Sequence, residues 1–303
     1  MSTTATRPAG WQKKKRKTKP ARMVLHTFLI TTGLVWLAPV LWASYNAFRP
    51  YDETSQDGFV SWPRTLTLDN FRNAWSGADL PHYYLNTLIV AVPALFLILL
   101  LSSSVAYIVT RRQMRFSKTL LVFFTVANLL PPQILLVPMY RIYLAVGLPP
   151  VLSGIEDRAV LYDTYTGIVL AHVAFQIGFC TFVLSNYMKT IPKELDEAAR
   201  VDGASIFRHF RSVILPLCKP ALGALATLEF TWIYNDFLWA LVLMKTGDRK
   251  PVTSALNNLQ GQFFTDTNLL AAGSLLVALP TMIVYFALQK QFVGGLTLGA
   301  NKG

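Results

Sequence analysis

The sequence predicts an all-α integral membrane protein with six transmembrane helices and both termini on the cytoplasmic side. Three observations carry that expectation. Hydrophobic residues make up 53% of the chain and charged residues only 15%, too few to cover a soluble domain of 303 residues. Long windows lack Asp, Glu, Lys and Arg altogether, and each exceeds the roughly 20 residues that a helix needs to cross a bilayer. Basic residues also gather in alternate connections, the pattern of cytoplasmic loops.

Residues 1–22 form a basic tail. Its run KKKRKTK (13–19) reads as a topological anchor or, alternatively, as a segment drawn to anionic membrane lipid. The first span, Met23–Phe48, is longer than the apolar part of a cleavable signal and no small-x-small site follows it. The outer loop 49–82 contains PRTLTLDNFRNAW (63–75), suited to a short surface helix. Tyr83–Thr110 is the second span, and TRRQMRFSK (110–118) a tight basic inner turn. In the third, Thr119–Tyr140, Pro131, Pro132 and Pro138 remove backbone donors and should kink or break the helix in its outer half. Such a break is tolerated where protein or a watery cavity covers it. The outer loop 141–164 precedes a fourth span, Tyr165–Met188, and the inner loop 189–220 follows it. Ala221–Met244 is the fifth, with Glu229 and Asp236 inside it. Leu269–Gln289 closes a single membrane domain, 23–289, and 290–303 is an inner tail.

The inner segments hold 20 of the 28 Lys and Arg residues, the outer ones 8. Acidic residues run the other way, 4 inside and 10 outside. The net charge of +12 is therefore an orientation signal rather than a nucleic-acid footprint. Cys180 and Cys218 have no ligand spacing, no His/Cys/Asp/Glu group suggests a metal, and no catalytic constellation is visible.

The stretch DEAARVDGASIFRHFRSVILP (196–216) is the polar exception in this oily chain. Pro192 suits the first turn of a helix. Leu195, Ala198, Ala199 and Asp202 then share a face, Gly203 can take the left-handed geometry that ends a helix, and Ser205 can cap the next. In that second helix Phe207, Phe210 and Ile214 form an apolar face while Arg208, His209 and Arg211 point away. The two adjacent alanines make the first helix narrow enough for close approach by another protein. Periodicity alone fits equally an amphipathic hairpin lying on the inner leaflet.

The spelling adds a resemblance. Glu197, Ala198 and Ala199, then Gly203, Val213, Leu215 and Pro216, resemble the signature loop of ATP-binding-cassette importer permeases, with Val213 departing from the family's usual Ile. TLDNF, NTLIVA (86–91), PPQILLVPMY (131–140), YNDFLWAL (234–241) and the terminal GLTLGANKG (295–303) look like the carbohydrate branch, and more closely the maltose-type second subunit of a heterodimeric importer. The resemblance implies the type I importer permease fold in a bacterial or archaeal cell membrane. It implies a second permease subunit, two cytosolic ATPase subunits and an extracytoplasmic sugar-binding protein as partners. ATP and Mg would be bound by the ATPases, and this subunit, which lacks a GxxxxGK[ST] loop, would hold no cofactor and catalyse nothing. Glu197, Ala198, Ala199, Asp202, Gly203, Ala204, Leu215 and Pro216 would form the ATPase-coupling element, and Asn301, Lys302 and Gly303 would reach the ATPase interface.

An acidic side chain inside a span costs about 2.5–3.5 kcal/mol on insertion scales and should face protein or water. Glu229, Trp232 and Asp236 fall at i, i+3 and i+7, with Asn235 beside them, a stripe able to line a sugar pathway or to satisfy neighbouring helices. Gln133, at the proline break, and His172 and Gln176, at i and i+4 in the fourth span, are weaker lining candidates, each better suited to a buried hydrogen-bonded role. Two other function classes compete. A stand-alone ion-coupled carrier would use Glu229 or Asp236 as its relay but leaves the polar loop unused; a membrane enzyme would need grouped acid, base or metal residues that the sequence lacks. The same importer architecture also suits glycerol phosphate-type substrates, and the particular sugar is not legible.

Overall fold

The computed structural model describes residues 20–112, 115–153, 160–260 and 265–297. Their regular structure is helical apart from one isolated antiparallel bridge, Gly147 to Val160. In chain order the helices are α1 (Pro20–Ala47), α2 (Tyr51–Asp57), α3 (Asp69–Gly77), α4 (Leu80–Arg111), α5 (Ser117–Asn128), α6 (Pro132–Ala145), α7 (Pro150–Ser153) and α8 (Tyr165–Met188). Then come α9 (Glu194–Val201), α10 (Ile206–His209), a π turn (Phe210–Ile214), α11 (Leu215–Leu217), α12 (Lys219–Tyr234), α13 (Leu238–Leu243), two 3-10 turns (Gly247–Arg249, Val252–Leu259) and α14 (Thr267–Thr297).

Four of these helices, α1, α4, α8 and α14, are long and apolar enough to cross a membrane; counting two bent pairs as spans gives up to six. The first pair is α5 with α6, bent by 99°. The expected third span is thus two helices, because Pro131 and Pro132 withhold amide donors where Leu129 and Leu130 leave the helical path. The second pair, the segment 206–217 with α12, bends by 74°. The fifth expected span, 221–244, is also interrupted: α12 stops at Tyr234 and α13 starts only at Leu238. The loop helix α3 begins at Asp69, later than the 63–75 stretch suggested, and buries Asn70 and Ala74.

Connections gather at two ends. At one, α4 and α8 begin side by side, with the Tyr165 hydroxyl donating to Asn86 Oδ1 at 2.7 Å. Asn86 Nδ2 donates to the carbonyls of Asp248 (2.6 Å) and Lys250 (3.2 Å), and Thr87 Oγ1 accepts from the Val252 amide at 2.8 Å. Asn86 and Thr87 of the NTLIVA motif, in the second turn of α4, therefore clamp a distant loop. Buried Asp163 adds a second clamp, accepting from the amides of Lys245 and Thr246, each at 2.9 Å. Buried Arg49 ties in α1: its carbonyl accepts from Asn70 and Asn268 and its guanidinium donates to Ser61. At the other end, Arg111 of α4 meets the carbonyl of Met188 in α8. α4 and α8 are thus parallel, and the loops 111–118 and 189–220 share the end opposite 245–260.

The core sits between α4 and α8. Ala91, Ala94, Ile98, Ser102 and Ala106 follow three-and-four spacing along α4 and are buried. Ile168, Ala171, Thr181, Ser185 and Met188 do the same on α8. Within lipid, helices gain little from excluding water, so small residues that allow close backbone approach do the work. Gly178 shows this for α5: a Cβ there would lie 2.5 Å from Asn128 Nδ2 and 3.2 Å from the Phe124 carbonyl.

Candidate functional site

The polar stretch 194–217 builds a protruding hairpin on a locked base. α9 ends where Gly203 adopts φ +71°, and the Ala204 amide then returns to the Ala199 carbonyl at 2.9 Å. Ser205 caps α10, its hydroxyl accepting from the Arg208 amide at 3.3 Å. Pro192 lies before the helix instead of in its first turn: α9 starts at Glu194, with Lys193 in the cap position.

Of the α9 face proposed from spacing, only Ala199 is buried, 9% exposed. Glu197, Ala198 and Asp202 are exposed, and Ala204 is half-buried. The apolar side chains at the tip also point outward: Val201 is 87% exposed and Phe207 67%. The assignment of Phe207 to a buried face and His209 to an outer one is therefore reversed. The π turn at 210–214 explains part of this, since its extra residue rotates Phe210 and Ile214 away from the register that Phe207 would share. Leu215 and Pro216 follow as the short α11, half-buried and exposed respectively.

The base is a charged network that periodicity does not reveal. Arg111, its side chain 4% exposed, pairs with Asp196 at 2.9 Å and donates to the carbonyls of Met188 (2.6 Å) and Ile191 (3.0 Å). One guanidinium thus fastens the end of α4 to the end of α8 and to the first turn of α9. His209 lies on the other side of Asp196, Nε2 to Oδ1 at 3.1 Å, and its Nδ1 is 2.9 Å from the Tyr107 hydroxyl. The ring is within hydrogen-bond distance of Tyr107, whereas Nε2 approaches the carboxylate without an aligned hydrogen bond. Tyr107 also packs on Phe210, ring centroids 5.1 Å apart. Arg111, Asp196, His209 and Tyr107 thus join α4, α8, α9 and α10 in one connected network. A basic residue ending one otherwise charge-free helix, and an acid in the first turn of a helix 85 residues on, are the sequence hint of Arg111–Asp196.

The mid-bundle residues do not form the expected stripe. Glu229 is fully buried, with Oε1 3.1 Å from the Cys180 thiol that donates to it. Trp232 is 46% exposed and lies against Phe179, centroids 5.6 Å apart. Asp236 lies beyond the helix end, where its carboxylate accepts from the amides of Trp239 and Ala240, each at 3.3 Å, and caps α13. Its other neighbour is buried His172, Nε2 at 3.8 Å. Asn235 is exposed and returns to the Thr231 carbonyl at 2.9 Å; Gln133 is exposed in the first turn of α6, and Gln176 is half-buried. Only Trp232, Asn235 and Gln133 of this set present surface, and Glu229 is a helix-to-helix contact. Among the described residues no His/Cys/Asp/Glu group could hold a metal. Asn301, Lys302, Gly303 and the run 13–19 lie outside the described residues.

The family described as the binding-protein-dependent transport system inner membrane component matches residues 83–297. The chain belongs to that family. The match takes in α4 from Tyr83 through to the end of α14, so every residue of the hairpin and its base falls inside it. Over 290 residues this permease is 33% identical to an osmoprotective compounds uptake permease protein of Synechocystis, covering 93% of this chain and 92% of the relative. An alpha-glucoside transport system permease protein of Rhizobium meliloti is 37% identical over 242 residues, 80% of this chain and 62% of the relative. The fold is that of a bacterial ABC transporter importing the acidic polysaccharide alginate, with a TM-score of 0.74 at 19% identity over 93% of this chain and 99% of the other. The permease is thus a membrane subunit of a binding-protein-dependent importer, built on the type I ABC importer permease fold.

Proposed function

We propose that this permease forms half of a carbohydrate translocation pathway, with a second permease subunit as the other half, and that the hairpin 194–216 couples it to two cytosolic ATPases. The observation that carries the reading is the exposed tip on the locked base. Val201 and Phe207 stand out from a polar end of the bundle beside Glu197 and Asp202, and large apolar side chains displayed there mark a surface that another protein covers. Glu197 and Asp202 supply charge for partner donors, Ala198 lets the partner backbone approach, and Gly203 aims the helix. Leu215 and Pro216 lead the motion into α12. Asn301, Lys302 and Gly303 add a second contact from the tail.

In this reading six spans cross the cell membrane, each bent pair serving as one, and the hairpin end faces the cytoplasm because the basic loops lie there. An extracytoplasmic binding protein delivers sugar at the opposite end. ATP and Mg are bound and used by the ATPases; this subunit holds no cofactor and contributes motion only. Trp232, Asn235 and Gln133 present an indole face and amides to the pathway, chemistry suited to sugar rings and hydroxyls. The alpha-glucoside and alginate names of the relative and the neighbour support a saccharide substrate.

The test is Glu197→Lys in the purified complex, with sugar-loaded binding protein stimulating ATP turnover. The variant inserts normally and loses stimulation by at least tenfold, the effect of replacing an attractive charge at an interface by a repulsive one. Full stimulated turnover with intact co-purification would remove the hairpin from the coupling role.

A further inference from the structure

At the hairpin end a second feature stands apart from the coupling surface. A cleft of about 800 Å³ opens between the end of α4, the start of α5 and the 189–193 connection. Five cations line it: Arg111, Arg115, Lys118, Lys189 and Lys193. No carboxylate is among its lining residues, and Asp196 offsets only Arg111. Arg115, Lys118, Lys189 and Lys193 are exposed, and among the described residues the quartet's side chains make one hydrogen bond, from Lys189 to Asn186 Oδ1 at 3.2 Å. Four exposed like charges around one cleft repel each other unless an anion enters.

The floor of the cleft points the same way. Arg111 Nε is buried without a partner among the described residues, although the same guanidinium bonds Asp196 and the carbonyls of Met188 and Ile191. The hydroxyls of Thr110 and Ser117, both lining the cleft, are also buried and unpartnered. A buried donor left unmade costs about 1–3 kcal/mol, so three on residues that line one basic cleft leave room for an acceptor there. The remaining lining is apolar, Val109 and Leu121, and nearby in the chain Phe116, at the cap of α5, and Phe123 within it are 70% and 66% exposed. A cleft that is cationic at its polar end and continuous with an oily helix face matches one amphiphile.

We propose that this cleft binds the phosphate headgroup of an anionic phospholipid of the inner leaflet, with its acyl chains lying along α5. The four exposed cations hold the phosphate oxygens, and Arg111 Nε, Thr110 and Ser117 complete the cradle. The inference needs the bundle's seat in a bilayer but not the sugar or coupling assignments, and its assay uses neither ATP nor sugar.

Native mass spectrometry of the full-length permease, extracted with its partners, tests it. The wild type retains a phosphatidylglycerol adduct, and the triple variant Arg115→Gln/Lys118→Gln/Lys189→Gln binds that lipid about a hundredfold more weakly, roughly fivefold per cation removed. Neutralising the 13–19 run leaves the adduct in place. A titration that needs no variant accompanies it: phosphatidylglycerol raises the melting temperature of delipidated complex, whereas phosphatidylcholine, inorganic phosphate and glycerol phosphate do not. Undiminished binding by the triple variant, equal stabilisation by phosphatidylcholine, loss of the adduct with the 13–19 run, or saturation by a soluble phosphate would each overturn the proposal.

Discussion

Replacing Arg111 by Met leaves the apolar stem and removes the guanidinium that fastens three helices. The pair with Asp196 is largely shielded, at 4% and 14% side-chain exposure. Breaking a buried ion pair costs about 3–5 kcal/mol, and the residual access of Asp196 to solvent places this one near 3. The carbonyls of Met188 and Ile191 each lose a donor, worth about 0.5 kcal/mol where water can replace it. The sum, about 4 kcal/mol, corresponds to roughly a thousandfold increase in local opening of the hairpin. Hydrogen–deuterium exchange on the assembled complex reads this directly. Peptides covering 188–210 exchange faster in the variant, while peptides from the middle of α14 keep their protection. Stimulated ATP turnover falls in parallel, and Arg111→Lys, which keeps the charge but not the forked donors, lies between. Unchanged exchange across 194–204 together with full stimulation would refute the view that Arg111 stiffens the lever.

Two further outcomes follow from local geometry. A Cβ built on Gly203 meets nothing within 4 Å, so substitutions there act through φ +71° alone. Coupled ATP turnover should rank Gly and Asn above Ala and Ala above Val, with Ala costing about 1–2 kcal/mol of local strain; full activity of Gly203→Val would disprove the left-handed turn. Asp236→Ala loses the α13 cap and about 1 kcal/mol of thermal stability, whereas Asp236→Asn keeps an acceptor and assembles normally with altered sugar uptake. Identical uptake kinetics in Asp236→Asn would confine that carboxylate to capping.

The membrane helices were legible because lipid imposes a simple demand, some 20 residues without charge. The break before α6 was legible too, since Pro131 and Pro132 advertise their missing donors. The break after Tyr234 was not, because hydropathy reads straight through Asn235 and Asp236. Their side-chain bonds to nearby backbone are what end one helix and begin the next. In the hairpin, Gly203 and Ser205 act locally, so composition reveals them. His209 does not: its burial is decided by Tyr107, 102 residues away, and Asp196. Arg111 and Asp196 likewise meet across 85 residues of chain. Glu229 was recognisable as costly, but its thiol neighbour on α8 was beyond the reach of spacing along α12.

The first helix carries an architectural consequence. None of the residues in its most apolar window is buried by the other described residues, and its anchorage lies at the far end, around Ala47, Asn46 and Arg49. It behaves as an outrigger lashed at one tip. Along most of its length, then, whatever it rests against lies beyond the described residues, and the surrounding bilayer or a neighbouring subunit suits those oily positions. The lashing is written in this chain, and the long flank is left to that surrounding.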